Sequence, residues 1–303
     1  MKTQLSHTQP DVRRLISFIE AGGPEEHEYD QLTDVWNELK IGKESSDNGV
    51  LTADELAHLF GDRFLNETIH GFSYRKPHGY AGDYQIIDII YQQKINEDKR
   101  FQKWDRYFQA QDAARAVRNR KNYFVNLLEG KSPQANNPLR VLNIASGPCR
   151  DLLECFRQIP PDALKVHCVD IDTNAIAYAK KLLSSFVGSV QFKHENIFKF
   201  STDEQFDIVW SAGLFDYFND DDFTKLLRKI YAYCAPCGEI VIGNFSVSNP
   251  TRAYMEKGLA WYLFHRTPEQ LRRLALGAGI KEEQIEVKTE PLGVNLFLHI
   301  HAR

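Results

Sequence analysis

The chain has 303 residues, a net charge of −4, and 43% hydrophobic and 26% charged residues. This is ordinary globular composition, enough for one large domain or two smaller ones with cores of their own, and it gives no reason to expect a nucleic-acid partner. No stretch approaches the roughly 20 apolar residues of a membrane span, and five cysteines describe no disulfide framework, so the chain reads as reduced and cytoplasmic.

Residues 1 to about 28 are polar and read as loosely attached. Leu32, Val35, Trp36 and Leu39 then recur at helical spacing before a stop at Gly42. Thr52 and Glu55 make a capping box for a second helix carrying Leu56, Phe60, Phe64 and Ile69. Residues 78–84, HGYAGDY, form a bend before a helix starting near Gln85. A longer helix is predicted from Lys103 to Glu129, with Tyr107, Ala110, Ala114, Val117, Phe124 and Leu127 in one stripe and Gly130 as its stop. Its basic run, Arg115, Arg118, Arg120 and Lys121, reads as a solvated face or an internal pairing surface. The turn-rich segment KSPQANNP (131–138) is the best boundary. It divides a helical lid or substrate domain (1–135) from a second domain (136–303).

Beyond that boundary the texture changes. Short apolar runs, VLNIA, VHCVDI, VQFKHE, FDIVWSA, EIVIGNF and VNLFLHI, alternate with helical stretches such as 173–186 and 222–234. Such alternation indicates βαβ units and a mostly parallel sheet, an α/β fold. The first run, VLNIASGPCRD (141–151), breaks into a small-residue turn at Ala145, Ser146, Gly147 and Pro148 and then enters a helix. Small residues let a ligand approach the backbone, and the helix start offers free N–H groups. About 20 residues on, the second strand ends in Asp170, which can accept bonds from two ribose hydroxyls, with Ile171 beside it. Asp172 or Thr173 reads as a helix cap. The third strand gives way to Asn196 and Ile197, an amide for an adenine edge and an apolar group for its face. The fourth ends in the small residues Ser211, Ala212 and Gly213.

Together these strand ends resemble the class I S-adenosylmethionine-dependent methyltransferases. The resemblance implies a Rossmann-like fold, with a mostly parallel seven-stranded sheet and an antiparallel last strand, preceded here by an all-helical N-terminal domain. It places Ala145, Ser146 and Gly147 at the methionine part of the cofactor, Asp170 at the ribose, and Asn196 with Ile197 at the adenine. Ile171, Ser211, Ala212, Gly213 and Arg118 are counted as further cofactor contacts. Two positions depart from the family pattern: its usual first-strand acid is Asn143 here, and its last loop glycine is Cys149. Dehydrogenases, the rival on such a fold, favour a G-x-G-x-x-G turn that ASGPCR does not supply.

A narrower set of motifs is HGYAGDY (78–84), AGLFDY (212–217), GNFSVSNP (243–250), RAYMEKGLAWYLFHRT (252–267) and RNRKNYF (118–124). This set resembles bacterial methyltransferases that form 3-hydroxypalmitic acid methyl ester. It suggests an acceptor that is a carboxylate or hydroxyl, with a hydroxy fatty acid as one form. Tyr84, Phe215, Tyr217, Asn244, Tyr254, Trp261, Tyr262 and Arg266 become candidate substrate-binding residues. Arg266 stands out because a guanidinium pairs with a carboxylate, while Tyr254, Trp261 and Tyr262 also fit plain core.

Methyl transfer from a sulfonium is an in-line displacement governed by positioning and exclusion of water, and no metal is expected. A carboxylate acceptor needs no general base. An alcohol or ammonium needs one, and Tyr80, Asp83, Asp216 and His265 are the candidates. N-methylation of an amino acid or amine, and a non-catalytic cofactor-binding module, remain open, as does a homodimer. Two look-alikes are set aside. Cys234-Ala-Pro-Cys237 has redox spacing but falls in the turn before EIVIGNF. Glu44–Glu55 imitates a calcium loop without an aspartate at its first position.

Overall fold

A computed structural model of the chain describes residues 9–42, 50–131 and 133–303. Most of the calcium-loop look-alike, including Glu44, Ser46, Asn48 and Gly49, lies outside the described residues. The chain forms two units, Met1–Arg115 with Pro250–Tyr262, and Ala116–Asn249 with Leu263–Arg303.

In the first unit, α1 (Pro10–Glu20) starts with proline in its first turn and buries Val12 and Leu15. The segment read as loosely attached is therefore helical from Pro10, held by this apolar stripe. Next comes α2 (Tyr29–Glu38), which buries Leu32, Val35 and Trp36. A parallel pair of two-residue strands, β1 (Ile41–Gly42) and β2 (Leu51–Thr52), departs from the all-helical expectation. The capping box at Thr52 and Glu55 is present and opens α3 (Ala53–His58).

The one helix expected there is three: α3, α4 (Asp62–Glu67) and α5 (Ile69–Arg75). Gly61, at φ +78°, ends the first. Thr68 turns extended and its hydroxyl accepts from the Gly71 amide at 2.9 Å, capping α5. Asp83 caps α6 (Tyr84–Gln92) by accepting from the amides of Gln85 and Ile86 at 2.8 and 3.0 Å. The long helix predicted from Lys103 is likewise split at Gln111, extended at ψ 141°, into α7 (Lys99–Ala110) and α8 (Asp112–Gly130). No proline or glycine announces that break. The core of this unit is aromatic: Trp36, Phe60, Phe64, His70, Trp104, Tyr107 and Tyr254 pack ring on ring.

The second unit is a seven-stranded sheet of β3 (Leu139–Ile144), β4 (Leu164–Asp170), β5 (Val190–His194), β6 (Phe206–Ser211), β7 (Cys234–Phe245), β8 (Ile285–Thr289) and β9 (Asn295–His301). Their order is β5-β4-β3-β6-β7-β9-β8, and every pairing is parallel except those of β9, which runs antiparallel to both neighbours. Four helices connect them: α9 (Arg150–Gln158), α10 (Thr173–Leu182), α11 (Asp220–Tyr231) and α12 (Pro268–Gly277).

Alternation along the strands sends Val141, Ile208, Trp210 and Val241 to one face, against Phe124 and Leu128 of α8 and Leu152 and Phe156 of α9. Leu142, Val209, Ile240 and Ile242 face the other way, against Phe223 and Leu226 of α11 and Leu271 of α12. The chain moves outward from β3 to β4 and β5, then returns to β3's other side as β6. The carboxyl ends of β3 and β6 are thus a topological switch point, where open α/β sheets hold ligands.

Two details differ from expectation. Strand β8, with a single buried residue at its start, completes the seven strands expected, although none of the apolar runs marked its place. The segment from Cys234 to Cys237 is not a turn: it is the first stretch of β7, bulged so that Phe206 pairs with Cys234 and Ile208 with Glu239, with Cys237 at φ +61°. Both thiols are free, and burial pushes that of Cys234 up to about 12. Among the described residues no helix is long and apolar enough to cross a membrane.

Candidate functional site

The turn after β3 is held in shape by backbone conformation. Ala145, Gly147 and Cys149 all sit in the left-handed region, at φ +53°, +54° and +54°. Only glycine takes this conformation without cost; for Ala145 and Cys149 it costs roughly 1–2 kcal/mol each. Cys149 stands where the family pattern has glycine, and the backbone keeps the glycine-type geometry. Its thiol fits because it is buried 3.8 Å from Cys168 Sγ on β4.

Asp170, at the end of β4, ties this turn down. One carboxylate oxygen accepts from the Gly147 amide at 2.8 Å and the other from the Asp172 amide at 2.9 Å. Burial raises the Asp170 carboxyl, and these amide bonds work against that. A carboxylate has about four acceptor positions, so two remain for hydroxyls. Asp172 caps α10, accepting from the Asn174 amide at 2.8 Å, as expected of a cap.

Beside Asp170 lies a cavity of about 230 Å³ lined by Ala145, Val169, Asp170, Ile171, Glu195, Asn196, Ile197, Phe198, Leu214 and Phe218. Ala145, Asp170, Ile171, Asn196 and Ile197, singled out in the sequence, thus meet at one place. Asn196 Oδ1 accepts from the Phe198 amide at 2.9 Å, so its carbonyl shapes the turn. Ile171 is 62% exposed, an apolar side chain left on the rim, whereas Ile197 is part of the core and of the cavity wall. Leu214 and Phe218, which complete the apolar wall, were not anticipated.

Around the ends of β3 and β6 the chemistry turns polar. Seven buried side-chain nitrogen or oxygen atoms lack a hydrogen-bond partner among the described residues. Four of the seven belong to this region: Arg120 Nε, Asn143 Nδ2, Ser146 Oγ and Asp216 Oδ1. Arg120, on α8, donates from Nη1 to the Ala212 carbonyl at 2.6 Å. A Cβ at Gly213 would stand only 3.3 Å from that nitrogen, so the small residue leaves the guanidinium its space.

Burial pushes the carboxyls of Asp151 and Asp216 up to about 6, and in both cases the Arg120 charge pulls the other way. Sequence reasoning included Arg118, which is half-buried, and missed Arg120 and Asp151. The RxR spacing in RNRKNYF held no sign of which arginine faces inward; the turn of α8 decides it.

Several candidates are occupied by structural work. Ser211 donates to the Ile144 carbonyl at 3.2 Å, joining β6 to β3. Phe215 is fully buried against Phe218 and Phe223. Arg266, expected to meet a substrate carboxylate, is 3% exposed and uses all three nitrogens internally. Nε and Nη2 donate to Asp220, Nη2 also to the Phe218 carbonyl, and Nη1 to the Phe215 carbonyl and Asn244 Oδ1. Asn244 in turn donates to the carbonyls of Phe245 and Phe264. This closed network corrects the substrate role read for Arg266 and Asn244.

His265 is half-buried between the Leu263 carbonyl (3.2 Å from Nδ1) and Asn249 Nδ2 (3.2 Å from Nε2). Tyr217 is half-buried.

The remaining candidates belong to the helical unit. Tyr254 is buried in its aromatic core with its hydroxyl 3.0 Å from His70 Nδ1, and Trp261 is 5% exposed, so the core reading holds for both. Tyr262 and Tyr80 are exposed; Tyr84 is half-buried with its ring 4.8 Å from that of His78; Asp83 is the buried cap of α6.

A wider groove of about 700 Å³ lies at the opposite, amino-terminal edge of the strands. Its lysines and arginine are engaged, Lys131 with Glu239, Arg140 with Asp207 and Lys165 with the Gly188 carbonyl, and His167 Nε2 lies 3.7 Å from Glu204. No group of three or more His, Cys, Asp or Glu placed to hold a metal occurs among the described residues.

Residues 141–238, the stretch that carries the turn, Asp170 and the cavity, match the family model described as a methyltransferase domain. The fold is that of the S-adenosylmethionine-dependent methyltransferases. A solved structure from Bordetella parapertussis, described as a possible exported protein, is similar over nearly the whole length. It shares 17% identity at a TM-score of 0.67, covering 97% of this chain and 99% of that one.

Two partial likenesses are weaker. The 1,6-didemethyltoxoflavin-N1-methyltransferase of Burkholderia thailandensis has 19% identity and a TM-score of 0.45, over 60% of this chain and 77% of its own. The N-methyltransferase NodS of Bradyrhizobium japonicum has 14% identity and a TM-score of 0.46, over 72% and 97%. No curated protein matches the chain in sequence.

Proposed function

We propose that the chain transfers the methyl group of S-adenosylmethionine to a small-molecule acceptor. The observation that carries this reading is a nucleoside-sized cavity containing Asp170, together with four unpartnered buried polar atoms on residues around the ends of β3 and β6. The cavity suits adenosine: a carboxylate for the ribose, Asn196 for the base edge, and Ile171, Leu214 and Phe218 for its faces. The polar atoms suit an α-amino acid. Arg120 Nε, Asn143 Nδ2 and the Ser146 hydroxyl can donate to a carboxylate, and Asp216 Oδ1 can accept from an ammonium. Bound there, the cofactor would supply an electrophilic methyl group whose sulfonium leaving group provides the driving force.

With Asp216 turned to the ammonium and Asp83 capping α6, two of the four candidate bases have other work. That distribution favours an acceptor needing no base, a carboxylate such as that of a hydroxy fatty acid. Calorimetric titration with S-adenosylmethionine and, separately, NAD(H) tests the cofactor. Micromolar binding of the first alone is expected, and its absence would remove the reading. Turnover to S-adenosylhomocysteine with fatty hydroxy acids, amino acids and amines then tests the acceptor. Turnover with amines alone would replace the carboxylate by N-methylation, and tight binding without any turnover would leave a cofactor-binding module.

A further inference from the structure

Three residues past Arg120, on the same side of α8, Tyr123 begins a chain of short hydrogen bonds into the sheet. Its hydroxyl lies 2.6 Å from His299 Nε2 on β9, and His299 Nδ1 lies 2.5 Å from Glu239 Oε1 on β7. Glu239 also accepts from Lys131 Nζ at 2.5 Å, so the two ends of this part of α8 converge on one carboxylate. His299 and Glu239 are buried, at 2% and 4% exposure. Burial acts to raise the Glu239 carboxyl, but the bonds from His299 and Lys131 override it and hold it down at about 2.

The partners fix the orientation of the imidazole, with Nδ1 directed at Glu239 and Nε2 at the Tyr123 hydroxyl. Tyr123 also stacks on Phe297, with ring centroids 3.8 Å apart and planes 15° from parallel. On the neighbouring face, Asn119 Nδ2 donates to buried Glu290 at 2.6 Å.

A buried charged network of this kind is a poor source of stability, since apolar residues of the same volume commonly do as well or better. Its physical advantage is registry. Sliding α8 by one residue would move it about 1.5 Å and turn it about 100°, taking the Tyr123 hydroxyl from His299 and the Lys131 ammonium from Glu239 and leaving that buried pair only each other. The same slide would carry Arg120 away from the Ala212 carbonyl, which it meets at 2.6 Å.

We propose that Tyr123, His299, Glu239 and Lys131 are positioning residues that lock the register of α8 so that Arg120 presents its guanidinium to the amino-acid end of the cofactor. This rests on the reading of Arg120 given above. Two probes separate the ends of the cofactor: S-adenosylhomocysteine, which carries the amino-acid group, and 5′-methylthioadenosine, which lacks it.

Calorimetry on the whole chain should show that Arg120→Ala weakens the first and spares the second. Tyr123→Phe, which removes one hydroxyl, should do the same to a lesser degree, about three- to tenfold for the loss of one buried hydrogen bond. His299→Gln serves as the second variant, read in the same way should Tyr123→Phe fail to fold. If Arg120→Ala discriminates between the probes and both other variants weaken both equally, or neither, the positioning role is overturned. If the unaltered chain binds neither probe, the cofactor reading itself fails.

Discussion

The ends of β3 and β6 and the segment after β7 each bury an arginine, and they treat it oppositely. Arg266 reaches Asp220, Asn244 and two backbone carbonyls and is capped by the faces of Phe223 and Phe264, 4.8 and 5.6 Å from its guanidinium carbon. Every nitrogen has a partner. Arg120 has one fixed bond, to Ala212, and keeps Nε unpartnered, as are Asn143 Nδ2, Ser146 Oγ and Asp216 Oδ1 around the ends of β3 and β6. Closure of the hydrogen-bond ledger, more than residue type or burial, separates an arginine that holds the protein from one that waits for something else.

The contrast makes graded predictions. Arg266→Ala should have the largest effect, because it leaves Asn244 and two carbonyls buried without a donor. A loss of about 3–5 kcal/mol is expected, seen as a melting temperature lower by on the order of 10 °C. An unchanged melt with weaker cofactor binding would abolish the distinction. Arg120→Ala should barely move the melt but weaken S-adenosylmethionine by about 1.5–3 kcal/mol, roughly 10- to 100-fold. A collapse of stability comparable to that of Arg266→Ala would place both arginines in the same class. Asp170→Ala should cost about tenfold in affinity for S-adenosylmethionine and for 5′-methylthioadenosine alike. Loss of only the first would move Asp170 from the ribose to the amino acid.

The smallest effect is on pH dependence. Asp216 is raised from 3.8 to about 6 by burial. Between those values the folded chain binds its proton more tightly than the unfolded one, so this group's contribution makes stability fall as pH rises from about 4 to 6. Thermal melts at pH 5 and pH 7 should therefore differ less in Asp216→Asn than in the parent. Asp151, shifted in the same direction, should preserve part of the slope. An identical slope in both proteins would mean that Asp216 is not protonated in this window.

What the sequence disclosed follows the range of the forces involved. The cap at Asp172 and the capping box at Thr52 are local, fixed by residues two or three apart, while the small-residue turn at 145–149 and Asp170 stand at strand ends that apolar runs mark, and each is found in the structure. The parallel sheet was also legible, because buried strands leave apolar runs between helical stretches, whereas the antiparallel direction of the last strand was implied by the family resemblance alone. Arg120 was not, since its neighbours Asp151, Ala212 and Asp216 are 31 to 96 residues away in sequence and no spacing rule connects them. Arg266 misled for the same reason: a guanidinium suited to a carboxylate finds Asp220, 46 residues earlier. The breaks at Thr68 and Gln111 escaped notice because neither residue forbids a helix; tertiary packing overrides a weak local preference there.

The amide of Gly147, bonded to Asp170 Oδ2 at 2.8 Å, has a practical consequence. The proton it donates lies on the same carboxylate that would take the ribose hydroxyls, so its nuclear resonance is a built-in gauge of that oxygen's electron density. In an isotope-labelled sample the Gly147 cross-peak should shift when either adenosine-bearing probe is added. The same glycine stands in the turn that the amino-acid end would follow, so the difference between the two shifts would map, one atom at a time, where the ribose stops and the methionine begins.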